Sequence, residues 1–114
     1  MKKAEVKFEN ITKISSGYSN HCSLLSKAIY QKIVKKVISE SYLEEAEMCK
    51  LLENIYRSVN IGLINELKII LKPMNLDINQ VIKLASTKPF GFETFYPGPG
   101  VGGHCIPIDP YYLY

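Results

Sequence analysis

The sequence predicts a mainly α fold: a long central helix with shorter helices, a small strand element near the N-terminus and an irregular C-terminal loop. Three observations lead there. Residues 41–72 contain one glycine, Gly62, and no proline, and their apolar side chains recur every three or four positions, the period of an amphipathic helix. Two tetrapeptides with capping chemistry, beginning at Ser41 and Asp77, mark helix starts. Five of the six prolines and five of the seven glycines fall within residues 86–114, where no periodicity survives.

The elements follow in order. Residues 4–16 alternate loosely through Val6, Phe8, Ile11 and Ile14 and end at the turn-forming Ser15-Ser16-Gly17, which fits one or two short strands. From Asn20, the positions Leu24, Leu25, Ala28, Ile29, Ile33 and Val34 predict a helix ending near Lys35-Lys36. Val37-Ile38 then begins a further strand. Ser41 and Glu44 form a reciprocal capping box, and Leu51, Leu52, Ile55, Val59, Leu63, Leu67 and Ile70 carry the long helix to Pro73, roughly 30 residues in all. Asp77-Ile78-Asn79-Gln80 starts a short helix through Val81, Ile82, Leu84 and Ala85. A strand, helix and strand supply too few strands for a stable sheet alone, so a further piece is expected upstream.

Composition excludes several function classes. A chain of 114 residues makes one domain at most and is short for a complete cofactor-dependent enzyme. Apolar runs fall far short of the roughly 20 residues of a membrane span. Lys2-Lys3 is followed by Glu5, Lys7 and Glu9 instead of an apolar signal segment, so a cytoplasmic location is expected. Basic residues number 14 against 11 acidic ones, and the lysines are scattered, so neither nucleic acid nor membrane is an expected partner. Cys22, Cys49 and Cys105 are an odd number without framework spacing, which favours reduced thiols.

Chemistry concentrates in the run Pro97-Gly98-Pro99-Gly100-Val101-Gly102-Gly103-His104-Cys105-Ile106-Pro107-Ile108-Asp109-Pro110. Glycines permit positive φ and close backbone approach, and prolines stiffen the loop, so Cys105 reads as a displayed thiol, although a free cysteine is also a common buried hydrophobe. On the long helix, Glu47, Lys50 and Asn54 share a face, and Asn65 returns to it eleven residues after Asn54. That stripe is either a solvated row with a Glu47–Lys50 pair or the wall that a cysteine loop faces. In the second case a Cys105 thiolate attacks a carbonyl carbon, Lys50 and Asn54 supply the cation and amide donor for the oxyanion, and Asp109 orients an ammonium or a water. Adjacent His104-Cys105 and His21-Cys22 pairs lack the gap that lets both side chains reach one ion, so no metal site is expected. Gly98, Gly100, Gly102 and Gly103 follow no strand and open no helix, which weakens a dinucleotide fingerprint.

These segments together, Ala46 to Ile61, Asn65-Glu66-Leu67, Ser86 to Phe92 and Phe95 to Pro110, closely resemble the UDP-glucose/GDP-mannose dehydrogenase family. The nearest resemblance is to the UDP-N-acetylglucosamine and UDP-N-acetylmannosamine 6-dehydrogenases of polysaccharide biosynthesis. The resemblance implies an NAD-dependent, four-electron oxidation of the C6 alcohol of a UDP-N-acetylhexosamine to the uronic acid, through a thiohemiacetal and a thioester on one cysteine. Cys105 matches that nucleophile, Lys50 and Asn54 the electrostatic and oxyanion-stabilising residues, and Asp109 the aspartate beside them. Thr94, Phe95, Tyr96, Pro97, Gly98 and Gly102 match the loop that holds the nucleotide sugar.

The same resemblance makes residues 1–40 the C-terminal remnant of a Rossmann-type NAD-binding domain and residues 41–114 a central helical dimerisation and catalytic domain, with a homodimer through the long helix. The chain departs from the family's pattern in lacking the Rossmann glycine fingerprint and an upstream carboxylate, and Pro89 beside Lys88 stands where UDP-glucose dehydrogenases place an arginine. The expectation is therefore a fragment, inactive in isolation, of a UDP-N-acetylhexosamine dehydrogenase. The alternative is a non-catalytic helical dimerisation module.

Overall fold

The computed structural model describes residues 7–113. The strand expectation at Val6 lies outside them. The mainly α expectation is met, and the described residues divide into two compact units, the first ending at Lys50 and the second beginning at Leu51.

In the first unit a short 3-10 helix, Phe8–Asn10, precedes strand β1, Lys13–Ser15. Helix α1 spans Asn20–Tyr30, and strand β2, Val37–Ser39, returns parallel to β1 with Ile14 opposite Ile38. The connection is thus strand, helix, strand, the unit from which parallel sheets are built. Ser19 caps α1, its hydroxyl accepting from the Cys22 amide at 3.3 Å, which satisfies one of the orphan donors of the first turn. Gly17 lets the chain pass close to α1: a Cβ there would stand 2.6 Å from the Cys22 carbonyl carbon and 2.8 Å from its Cβ. Ser15 is buried and donates from its hydroxyl to Ser26 at 2.8 Å, which ties β1 to α1.

Helix α1 ends short of the expected Lys35-Lys36. The chain leaves the helix at Tyr30, whose carbonyl accepts from both Ile33 and Val34 at 2.9 Å, and this tightened turn buries Val34. Helix-like spacing thus persists for one turn beyond the helix itself.

Helix α2 runs Leu43–Leu71, beginning two residues after the expected cap at Ser41. At its far end a 3-10 turn, Lys72–Met74, closes on Asn75 with φ 56°, a left-handed position that asparagine tolerates. Helix α3, Ile78–Ala85, starts as expected at Asp77, whose carboxylate accepts from the Asn79 amide at 2.9 Å. The core of the second unit is small: Ile64 of α2 meets Ile78 and Ile82 of α3, with Leu67, Leu71 and Phe95 packed against them. Phe95 belongs to the irregular segment after α3, so that segment is anchored by the same core.

Candidate functional site

The loop expected to carry chemistry is tied to α2 within the second unit at three places. Nearest α3, the Tyr56 hydroxyl donates to Glu93 at 2.8 Å, and its ring meets Phe95 edge-on with centroids 5.8 Å apart. The bond to the Glu93 carboxylate, which favours the protonated phenol, raises the Tyr56 pKa above its ordinary value. Further along, the Asn65 amide grips the glycine run: its Oδ1 accepts from the Gly98 N–H at 2.9 Å and its Nδ2 donates to the Gly100 carbonyl at 2.9 Å. At the end of the loop, Asn54 donates from Nδ2 to the Asp109 carboxylate and accepts at Oδ1 from Arg57.

Asn54 is 3% exposed, a placement an amide tolerates only when its polar atoms are bonded. Both are. Arg57, which also lies 4.0 Å from Glu53, fixes which way the Asn54 amide points, because a guanidinium can bond only to the oxygen. The nitrogen is thereby aimed at Asp109.

Cys105 is exposed, at the entry to the turn that leads into a short 3-10 helix, Asp109–Leu113. Its carbonyl accepts from the amides of Ile108 and Asp109 at 3.0 and 2.8 Å, so Cys105 and Asp109 are joined through one closed turn. Gly100, Gly102 and Gly103 take φ of 83°, 74° and 74°, the left-handed region where a Cβ is strained. The expectation that glycines provide positive φ in the loop that carries Cys105 is met at these three positions.

Of the expected site residues, the structure brings Asn54 and Asp109 into direct contact and links Cys105 to Asp109 through the backbone. Lys50 lies one turn before Asn54 on α2, in the first unit. Among the residues expected to hold a sugar, Phe95 faces the core, Tyr96 is 64% exposed, Gly98 is held by Asn65, and Thr94 and Gly102 are exposed. Pro97 is half-buried. Arg57 and Tyr56 were not singled out from the sequence. Arg57 had a signal, its three-residue spacing from Asn54, whereas nothing local pointed from Tyr56 to Glu93.

Each unit carries a cavity of its own. In the second unit, a cavity of about 420 Å³ lies against the Asn65 grip, lined by Asn65, Lys68, Ile69, Lys72, Gly98 and Gly100. In the first unit, one of about 350 Å³ lies beyond the carboxyl ends of β1 and β2 and includes Gly17, Ser19, Ser23, Ser39 and Glu40. Open parallel sheets bind ligands at such ends. Gly17, however, is bare because α1 occupies its Cβ position, so it offers no cradle for a pyrophosphate. Among the described residues no group of three His, Cys, Asp or Glu side chains is placed to hold a metal ion, and no helix is long and apolar enough to cross a membrane.

Comparison with known proteins matches residues 44–114 to the UDP-glucose/GDP-mannose dehydrogenase family, central domain. Among curated relatives, Protein CapL of Staphylococcus aureus is 43% identical over 107 residues, 93% of this chain and 25% of the relative. UDP-N-acetyl-D-glucosamine 6-dehydrogenase of Pseudomonas aeruginosa is 42% identical over 110 residues, 96% of this chain and 26% of the relative. UDP-N-acetyl-D-mannosamine dehydrogenase of Yersinia pestis is 37% identical over 101 residues, 89% of this chain and 24% of the relative. The chain thus spans about a quarter of the length of the relatives it matches. No solved structure matches it significantly.

Proposed function

Because the chain belongs to the UDP-glucose/GDP-mannose dehydrogenase family, we propose that it carries the covalent site of a nucleotide-sugar 6-dehydrogenase acting on a UDP-N-acetylhexosamine in polysaccharide biosynthesis. The observation that carries this reading is the pairing of Asn54 with Asp109 on the turn that begins at Cys105. It brings a buried amide and a carboxylate to the segment presenting the thiol. The similarity to relatives named for UDP-N-acetyl-D-glucosamine and UDP-N-acetyl-D-mannosamine supports the substrate class.

In this mechanism the C6 alcohol first loses a hydride and a proton to become the aldehyde, and the Cys105 thiolate then adds to the aldehyde carbon, the former carbonyl oxygen becoming the thiohemiacetal oxygen. Loss of hydride from that carbon leaves a thioester, which water cleaves to the carboxylate and the free thiol. Lys50 supplies positive charge, and the second N–H of Asn54 Nδ2, the first being bonded to Asp109, is the donor for the oxygen that becomes anionic at each addition. Asp109, held by Asn54, accepts a proton from the hydrolytic water. Thr94, Phe95, Tyr96, Pro97, Gly98 and Gly102 form the segment assigned to the nucleotide sugar, in which Tyr96 and the exposed glycines are accessible while Phe95 fixes the backbone.

The oxidation releases two hydrides and needs an acceptor for each, and NAD, used twice, is the one the family resemblance implies. The described residues do not fit a cradle for it, since Gly17 is filled by α1 and the Gly98–Gly103 run opens no helix; no residue of this chain is assigned to it. Residues 1–40 are proposed to belong with an NAD-binding domain and 41–114 to the central domain, in a cytoplasmic enzyme. A homodimer through α2 is part of the proposal and is supported by Leu52, Val59, Leu63 and Ile70, 62%, 63%, 52% and 57% exposed, at spacings that keep them on one face. The test is Cys105→Ala in the dehydrogenase polypeptide that contains this segment, with UDP-N-acetylhexosamine and NAD. Uronic acid formation is expected to cease, and undiminished turnover would remove Cys105 from the mechanism.

A further inference from the structure

Two asparagines of α2, Asn54 and Asn65, hold the two ends of one stretch of loop. They are eleven residues apart on the helix, and the groups they hold, Gly98 and Asp109, are eleven residues apart in the loop, running the opposite way. Eleven residues advance an α-helix by roughly 16 Å and return to within about 20° of the same azimuth, so both side chains project from one face. An extended stretch of that length would span roughly 36 Å; the positive-φ glycines and the closed turn at Cys105 take up the difference. Cys105 lies between the two tethers.

We infer that Asn65 is a positioning residue, whose amide latches the glycine loop to α2 and thereby fixes the segment that presents Cys105. The chemistry of the latch is specific. The Gly98 N–H needs an acceptor and the Gly100 carbonyl needs a donor, both on one short planar group. Asparagine supplies both in that geometry. Aspartate at neutral pH retains the acceptor but sets a negative oxygen against the Gly100 carbonyl, alanine supplies neither group, and glutamine displaces both by one methylene. The inference rests on the nucleophile reading of Cys105 for its consequence, while the latch itself rests on the loop geometry.

The experiment uses the 114-residue chain, isotopically labelled, with Asn65→Ala and Asn65→Asp. Amide exchange at Gly98 and the iodoacetamide alkylation rate at Cys105 are read together, with Cys22 as internal reference and helical circular dichroism as the control for folding. Both variants are expected at neutral pH to lower Gly98 protection by about tenfold and to change the Cys105 rate by about threefold or more, leaving Cys22 unaltered. Below about pH 4 the aspartic acid of Asn65→Asp gains a proton. It then donates to the Gly100 carbonyl while accepting from Gly98, so its protection should recover toward that of the parent at the same pH, and that of Asn65→Ala should not. Unchanged Gly98 protection and Cys105 reactivity in a folded Asn65→Ala, or no acid recovery in Asn65→Asp, would overturn the inference. Should Asn65→Ala lose its helicity, the pH pair in Asn65→Asp decides alone. Turnover by a Cys105→Ala enzyme would sink the nucleophile reading and leave these exchange results standing.

Discussion

Removing the Asn54 amide tests the joint between helix and loop most directly. Asn54→Ala deletes a bond to the Asp109 carboxylate and one from the Arg57 guanidinium. Bonds to charged groups contribute about 1.5–3 kcal/mol each when net solvation is counted. The full sum does not apply, because the Arg57 side chain is 39% exposed and Asp109 is half-buried, so both regain water. The expected loss is therefore about 2 kcal/mol, or roughly a thirtyfold change in the opening equilibrium. Since the chain has two compact units, a global melt mixes them. Native-state amide exchange at Ile82, whose residue is 1% exposed in the core of the second unit, reads that unit alone. Acceleration by less than about threefold would refute the reasoning. Asn54→Asp sharpens the test by replacing the donor to Asp109 with a carboxylate, so that two like charges face each other. Its destabilisation should be greatest at neutral pH and ease as pH falls through the carboxylate range.

The Tyr56–Glu93 bond predicts a pH effect of definite sign. The folded phenol titrates above its ordinary 10.0, so the stability it contributes is full below the unfolded value and is lost as pH rises through the higher folded one. In tyrosinate absorbance, the difference between the parent and Tyr56→Phe should have its midpoint above 10.0, and Glu93→Ala should lower it; a midpoint at or below the ordinary value would show that the bond is not made. In the first unit, Gly17→Ala drives a methyl into the backbone of α1 at Cys22 and Ser23. A cost of about 1–3 kcal/mol is expected, read as faster exchange across α1, and a variant as stable as the parent would show that the helix does not crowd this turn.

Elements with local signals were legible in the sequence. Asp77 caps α3, Pro73 falls in the turn that ends α2, and Val37-Ile38 forms β2, because capping, proline geometry and short apolar runs act within a few residues. The end of α1 was not legible: Ile33 and Val34 keep helical spacing in a turn that has already left the helix, and spacing alone cannot tell the two apart. In the candidate site, Asn54, Cys105 and Asp109 were singled out from residue type, loop composition and the family resemblance. The contact between Asn54 and Asp109 was not, since 55 residues separate them and no local rule couples such positions. Asn65 is intermediate: its azimuth relative to Asn54 followed from helix geometry, but its grip on Gly98 and Gly100 required the loop to be placed.

The polar stripe on α2 had two readings, a solvated row or the wall of a site, and in the second unit two of its members, Asn54 and Asn65, bond to the loop instead of standing as a solvated row. Asn65 gives both atoms of its amide to the loop and Asn54 gives it one N–H, from an almost fully buried position. Leu52, Val59, Leu63 and Ile70 of the same helix meanwhile remain more than half exposed. An isolated globular helix would turn those apolar side chains inward and leave its asparagines in water. Helix α2 does so only around Ile64, Leu67 and Leu71, where α3 covers it. Within the second unit the face toward the loop makes hydrogen bonds that fix geometry, and the exposed apolar side chains lie on the face that the proposed dimer would use. A substitution such as Leu63→Glu and one such as Asn65→Ala therefore act on different faces and should add independently, the first changing association and the second the loop.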